Sequence, residues 1–432
     1  MQKFAIVVTA LVLFLVSAVA GQIKQTSVPL GDAIDKALAK GSLLGDGARP
    51  FHIHVSVSEP ENPASPYQGT IEEWWASPSQ WRREVTAKDG MRQAIVVTDG
   101  KKTERDEGDY FPLWLRNFVS ATFDVVPDAA AWRASGGSIP QIAGNNSGAC
   151  ARAKFSIGSG ASATDAFAGI CFDGTGRLKS YFGPRYSMEF SDYRSFGNKQ
   201  IARKFDDDPE PGTHLTGEVT RLEELPKDIP ATLFVSLPTD DDRFLSMAVG
   251  SGQMEQLTAG NKSIQWPTVR SGKTQGRLAI YVSVDSAGHV RETWPLNSDN
   301  AGLEDPVREQ VQHWTTKPAI ANGKPVQVDG GLGFTFNTKI GDPLPELSDA
   351  EVRTLATKIV EPVWASGAHS GDVAEVDIGV NEEGKLTGEG YTKVPSNLQS
   401  PVTAAISQWT FRPLIRNGKP QYFHGIVKFV VP

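Results

Sequence analysis

The sequence predicts an α+β fold. A curved antiparallel β-sheet wraps a helix over residues 22–240, and two small β-β-α-β modules follow at 264–340 and 350–432. Three observations carry this expectation. Short runs of alternating apolar and polar residues succeed one another through the first half, with turn residues between them. One longer apolar run, Tyr110 to Val126, interrupts them at helical length. Finally, the frame W-T-x-x-P-x-x-x-N-G-K-P occurs twice, from Trp314 and again from Trp409, 95 positions on, which marks a duplicated module.

Residues 1–20 read as a secretory signal peptide: Lys3, no charge from Phe4 to Ile23, and Ala18-Val19-Ala20 before Gly21. A run of roughly twenty apolar residues can also span a bilayer, so the alternative to periplasmic release is an uncleaved inner-membrane anchor. With 39% hydrophobic and 22% charged residues, the remainder has the composition of a globular protein. The net charge of −7 and the scattered lysines and arginines argue against a nucleic-acid partner.

In the first domain a helix is expected near Leu30 to Leu44, then a half-buried strand from Phe51 to Ser58 with His52 and His54 on its polar face. Strands follow at Gly69 to Ala76, Trp81 to Thr86, Arg92 to Val97 and Lys101 to Arg105, with Asp89-Gly90 and Asp99-Gly100 as turns. Tyr110 to Val126 is a covering helix or lid, with Pro112 near its start. After a Ser/Gly/Ala-rich loop containing Cys150, strands resume at Ala168 to Phe172, Arg177 to Phe182, Arg185 to Asp192, Lys199 to Phe205 and His214 to Leu225. Successive hairpins with few helices give the curved sheet. Cys150 and Cys171 are expected to pair as a structural disulfide; a redox pair would favour C-x-x-C, and a metal site would need further ligands.

Each module reads strand, turn, strand, helix, strand. Leu303, Val307, Val311 and Trp314 form one helical stripe, and Leu398, Val402, Ile406 and Trp409 repeat it. Asp305-Pro306 and Ser400-Pro401 are read as helix starts, with Asp305 and Ser400 as caps. Asn322-Gly323 and Asn417-Gly418 are two-residue hairpin turns. With Pro267 and Gly276, Pro362 and Gly371, and the turns Asp285 to Gly288 and Asn381 to Gly384, this frame resembles the C-terminal domain of the TonB family. That family grips an extended segment of an outer-membrane receptor by strand addition. The resemblance therefore implies an outer-membrane receptor or another envelope protein as partner. By position, the candidate edges are the last strands, Val326 to Phe336 and Tyr422 to Val430, with Val326, Val328, Phe334, Tyr422, Ile426 and Lys428 as contacts. The alternative is that these edges are capped within the protein. The family's His-bearing membrane segment and proline-rich spacer are missing, so direct transmission of proton-motive energy is not expected.

The first domain resembles the LolA-like fold of periplasmic lipid and lipoprotein carriers. Gly69 to Glu84 (G-x-I-x-x-W-W-A-S-P-S-Q-W-R-R-E), Val97 to Lys101, Phe172 to Leu178 and Tyr193 to Gly197 carry that likeness. It implies a cavity for a lipid or lipoprotein, lined by Phe51, Val55, Trp74, Trp75, Trp81, Ile95 and Trp114. Trp74 and Trp75 must face opposite sides of their strand. Arg82 and Arg83 are read as solvated neighbours of Glu84, and Asp206 to Asp208 and Asp240 to Asp242 as solvated loops. No hydrolase, zinc-protease, Walker or dinucleotide motif occurs, so neither an enzyme nor a cofactor or metal is expected. The expected function is that of an exported binding protein, with an envelope adaptor lacking a ligand cavity as the alternative. A real cavity beside Trp75 would favour the first, a filled core the second.

Overall fold

The computed structural model describes residues 26–432 apart from 128, 142–147, 185–186, 211–212, 240, 262, 270, 342–344, 365–367 and 417. The signal segment lies outside the described residues, as do Asp240 and Asn417. No helix among the described residues is long and apolar enough to cross a membrane. The chain packs as two compact units. The first holds residues 1–261, 279–297 and 311–333; the second holds 262–278, 298–310 and 334–432.

In the first unit, β1 (Phe51–Ser58), β2 (Gly69–Ser77), β3 (Gln80–Ala87), β4 (Arg92–Thr98) and β5 (Lys101–Glu107) form successive hairpins. Further along come β6 (Ala149–Ile157), β7 (Thr164–Phe172), β8 (Leu178–Phe182), β9 (Ser187–Ser191), β10 (Lys204–Glu210) and β11 (Thr213–Glu224). They build an eleven-stranded sheet of order β5-β4-β3-β2-β1-β11-β10-β9-β8-β7-β6, in which β11 returns to pair antiparallel with β1. The Asp99-Gly100 turn has positive φ at both residues, as a two-residue hairpin requires. Cys150 lies on β6, not in a loop, directly opposite Cys171 on β7, and the two form a disulfide.

Two helices cover the apolar face of this sheet. α1 (Leu30–Gly41) buries Leu30, Ala33, Ile34 and Ala37 at helical spacing. α2 (Leu113–Phe123) is buried on nearly every side, Arg116 and Asn117 included, and so belongs inside the domain. It lies close to the sheet: a Cβ on Gly217 would stand 2.7 Å from the Phe118 ring, and one on Gly69 3.2 Å from Leu115.

The duplicated segments show the expected strand and helix order, each with an unforeseen prefix. The first runs β12 (Ser246–Ala248), α3 (Ser251–Thr258), β13 (Gln275–Val284), β14 (Val290–Ser298), α4 (Glu304–Gln312), β15 (Ala319–Ala321) and β16 (Lys324–Asn337). Its sheet order is β12-β16-β13-β14, with β15 also on β16. The second runs β17 (Glu346–Leu347), α5 (Asp349–Leu355), β18 (Val373–Val380), β19 (Leu386–Lys393), α6 (Ser396–Ile406) and β20 (Phe423–Val430), in order β17-β20-β18-β19. Its core joins Val352, Val376, Ile378, Val402, Trp409 and Phe423.

Several expectations are corrected. β16 and β20 are interior strands: β12 and β17 pair parallel with their outer sides. Beyond β17, α5 takes over, since Asp349 accepts from the Lys428 N–H at 2.9 Å and Arg353 donates to the Lys428 carbonyl at 2.8 Å. The edge that Tyr422, Ile426 and Lys428 were expected to offer is thus taken by helix side chains at Lys428 and by β17 at His424 and Gly425, while Tyr422 precedes β20. Val326 and Val328 are buried within β16, and Phe334 lies on the same interior strand. Neither expected cap serves. Asn300 caps the turn before α4 by accepting from Gly302, and the Asp305 side chain is exposed and pairs with Arg308. α6 starts a turn before Ser400, so Pro401 sits inside it. Trp314 lies beyond the end of α4 and is half-buried, whereas Trp409 is a core residue.

Candidate functional site

The apolar face of the large sheet is laid out by strand register. Phe51, Trp75 and Trp81 sit side by side on β1, β2 and β3, and Phe51 stacks on Trp75 with centroids 5.7 Å apart. One row along, Ile53, Glu73, Arg83 and Ile95 are neighbours. Arg83 is turned inward: its Nε donates to Glu73 at 2.5 Å, and its guanidinium lies 3.8 Å from the centre of the Phe123 ring on α2. Burial raises the pKa of Glu73, Arg83 pulls it the other way, and one Glu73 oxygen has no hydrogen-bond partner. Arg82, by contrast, pairs with Glu84, as expected of a surface pair.

Phe51, Val55, Trp75 and Trp114 belong to the packed core, with Trp81 against its margin, and Ile95 is buried. Trp114 meets Tyr67 edge-on at 5.8 Å. Trp74 faces the other side of β2 and stacks on His52 at 4.9 Å. His52 is not solvated. It is buried between Glu72, 2.8 Å from Nε2, and Glu223, 3.4 Å from Nδ1. Phe51, Val55 and Trp75 are thus buried core residues.

A narrow cleft lies at the C-terminal end of α2. It is lined by Leu38 of α1, Ala121 and Val125 at the end of α2, and Phe190, Tyr193 and Phe205 from the far half of the sheet region. It is a shallow, mostly closed depression rather than a formed ligand pocket. The enclosed part, about 10 Å³, has room for about one water. Its polar groups are engaged elsewhere. Thr122 donates to the Phe118 carbonyl at 2.8 Å, and the Tyr193 hydroxyl donates to the Leu178 carbonyl. Burial raises the Tyr193 pKa, with Asp173 adding to it. The lining therefore offers apolar contact and few directing hydrogen bonds. None of the seven residues expected to line a cavity is part of it.

Two carboxyls near α2 and the sheet rim are strongly perturbed. Asp207, on β10 rather than in a loop, is buried; burial and then Asp208 push it up to about 7, while an Asn117 hydrogen bond lowers it. Asp106 on β5 is likewise pushed up to about 7, first by burial and then by Glu104.

The N-terminal end of α2 is held by a buried polar network that reaches strands β13, β14 and β16. Pro112 precedes the helix and supplies no side-chain cap. The Glu292 carboxylate accepts instead from the N–H groups of Leu113 at 2.6 Å and Trp114 at 3.3 Å, and from the Tyr110 hydroxyl. This is capping by a carboxylate at the positive end of a helix. Arg116 donates to Asp329 and to Ser283, both at 2.9 Å, and to the Phe111 carbonyl at 3.2 Å. Asp329 also accepts from Tyr281 at 2.8 Å, and Gln327 accepts from the Phe111 N–H at 2.8 Å. Burial works against the Arg116 charge, but Asp329 outweighs it and raises the pKa. Burial, then Glu292, push the Tyr110 phenol well above its usual range. Sequence reasoning passed over these residues. The available signal was Arg116, the one charge between Phe111 and Phe123.

No protein-family model matches the chain, and no curated protein does. Two solved structures resemble about half of it. One is a LolA superfamily protein from Nitrosomonas europaea, at 12% identity over 48% of this chain and 98% of that one, with a TM-score of 0.24. The other is described as an outer membrane lipoprotein-sorting protein domain from Vibrio parahaemolyticus, at 8% identity over 48% and 95%, with a TM-score of 0.23. At these scores the strand order itself, rather than the likeness, defines the domain.

Proposed function

We propose that the protein is an exported, non-enzymatic binding protein of the cell envelope that holds a lipid, or the acyl part of a lipidated chain, between α1, α2 and the large sheet. The observation that supports this reading is the apolar cleft at Leu38 and Tyr193, where the Thr122 and Tyr193 hydroxyls both donate within the protein. Such a lining suits hydrocarbon and gives a polar small molecule nothing to orient it. The signal-like segment ending at Ala18-Val19-Ala20 supports the export part of this reading. The test is native mass spectrometry of the protein purified from its own periplasm, with titration of a fluorescent long-chain fatty acid. A co-purifying lipid and saturable binding, both lost in Ala202→Trp, are expected. A lipid-free mass with no fatty-acid binding would end the carrier reading.

A second reading, an envelope adaptor, is favoured by the burial of Trp75 in the core and by β19. This strand ends its sheet, and among the described residues no strand pairs with its outer side. An extended partner segment would add there, not at β16 or β20. Lys393→Pro or Tyr391→Pro should abolish capture of such a peptide and leave lipid binding intact.

A further inference from the structure

We infer that the first copy of the repeat is a clamp on α2, and that releasing it opens the apolar cleft; this inference rests on the carrier reading. α2 joins two sites. Its first turn is gripped by Glu292, Asp329, Ser283 and Gln327, and its last turn supplies Ala121 and Thr122 to the cleft. In the closed state the enclosed space admits about one water, so an acyl chain enters only when a covering helix moves. The opposite end of α2 is where such movement is restrained by charge.

The second copy shows that the grip is specific to the first. Aligned on the turn glycines Gly288 and Gly384, Ser283 and Glu292 correspond to Gly379 and Gly388. Aligned on Gly323 and Gly418, Gln327 and Asp329 correspond to Tyr422 and His424. The two carboxylates and the hydroxyl of the first copy are thus absent from the second, which has two glycines, a tyrosine and a histidine at these positions. Within the first copy Val326, Val328, Ile280 and Val282 supply buried apolar side chains, and Asp329 accepts from Tyr281. Gln327 and Asp329 are nevertheless completely buried, and their partners include Phe111 and Arg116, at or beside α2. The geometry of a helix held at one end and lining a cleft at the other makes Glu292 and Asp329 positioning residues for the ligand site.

The test uses the full chain carrying Glu292→Gln, which keeps an oxygen acceptor, and Asp329→Asn. Amide hydrogen exchange and fatty-acid titration are measured on both. The clamp predicts that exchange across Ala121 to Val126, at the cleft, speeds up about tenfold or more, while exchange in β18 and β20 is unchanged. It also predicts fatty-acid affinity tighter by a similar factor, since a larger fraction of molecules is competent to bind. Faster exchange confined to Leu113 to Arg116 would overturn the clamp and leave Glu292 a local cap. Should Asp329→Asn fail to fold, Glu292→Gln decides alone. Faster exchange at the cleft without fatty-acid binding in any form would keep the clamp and remove the carrier reading. Equal binding with equal exchange in all forms would do the reverse.

Discussion

The two copies of the repeat share a frame and differ in what their sheets face. In the second copy, β18 alternates buried and half-buried residues and β20 does nearly the same, so one face packs on α6 and Trp409 while the other meets solvent. In the first copy, β13 is buried without interruption from Leu278 to Val284, and β16 from Val326 to Leu332. A sheet covered on both faces is an interior sheet. The second face of the first copy carries Tyr281, Ser283, Gln327 and Asp329, while the second copy has Asp377, Gly379, Tyr422 and His424 there. Duplication supplied two equivalent surfaces, and only one became a socket for another element.

The largest effect separating the copies should come from Asp329→Ala. It leaves Arg116 charged and buried without its carboxylate, at a cost of about 3–5 kcal/mol. The matching change, His424→Ala, touches a half-exposed side chain and should move stability by within about 0.5 kcal/mol. Urea unfolding followed by a probe in each unit measures both. Comparable losses would erase the distinction between a socket and a solvent face.

Particular carboxyls of the two units should also respond to pH with opposite sign. Asp106 and Asp207, both in the first unit, titrate near 7 in the folded state, above the unfolded value of about 3.9. The folded state holds protons that the unfolded state has released, so this contribution is complete below about pH 4 and is lost as pH rises to 7. Between pH 5 and 7 the first unit should lose about 2 kcal/mol or more, and Asp106→Asn with Asp207→Asn should flatten that slope. In the second unit, Glu351, Glu375 and Glu383 are held below their usual range by hydrogen bonds from Ser348, Lys428 and Lys385. Their contribution is present above the ordinary carboxylate pKa and is lost as pH falls. A common pH profile for both units would contradict the assignment.

What the sequence made legible, and what it did not, follows the same division. Periodicity places most strands of the large sheet to within a few residues but misses β6 and the acidic half of β10; it puts Trp74 and Trp75 on opposite faces, and finds the Asn322-Gly323 turn, whose φ values are both positive. These are local facts, written in neighbouring residues. The sheet order of the repeats was hidden because β12 and β17, which cover β16 and β20, are too short to have a period. The socket was hidden because its halves are far apart: Arg116 and Asp329 are separated by 213 positions. A lone arginine in an apolar helix announces that it needs a carboxylate. It does not say which one. The cleft was missed for a related reason, since its lining of Ala121, Leu38 and Phe205 has the composition of ordinary core.

Exchanging single residues between the copies sharpens the contrast at smaller scale. Glu292→Gly installs the second copy's residue and removes the acceptor for two N–H groups of α2, costing about 1–2 kcal/mol. Gly388→Glu, the reverse change, adds a side chain at an exposed position with open space around it, and should cost within about 0.5 kcal/mol. A symmetric result would mean that Glu292 acts through its own strand rather than through α2.

The smallest difference lies in the turns that the copies share. Asp285 accepts from the N–H groups of Ala287 at 3.0 Å and His289 at 2.9 Å; Asn381 accepts from Glu383 at 3.0 Å and Lys385 at 2.8 Å. The geometry is the same, but only the aspartate titrates. Burial works to raise its pKa and is outweighed by hydrogen bonds from the His289 backbone, Arg291 and the His289 ring, so the folded value lies below the ordinary one. A depressed carboxylate contributes stability above the unfolded pKa of about 3.9 and loses it as pH falls through the lower folded value. The first turn should therefore lose about 0.5–1 kcal/mol of local protection in acid, read as amide exchange at Ala287 and His289, while the Glu383 and Lys385 amides keep theirs. Asp285→Asn should make the first turn behave like the second. If it does not, the acid response comes from the surrounding first-copy sheet rather than from the turn carboxylate, and the socket rather than the hairpin is what acid loosens.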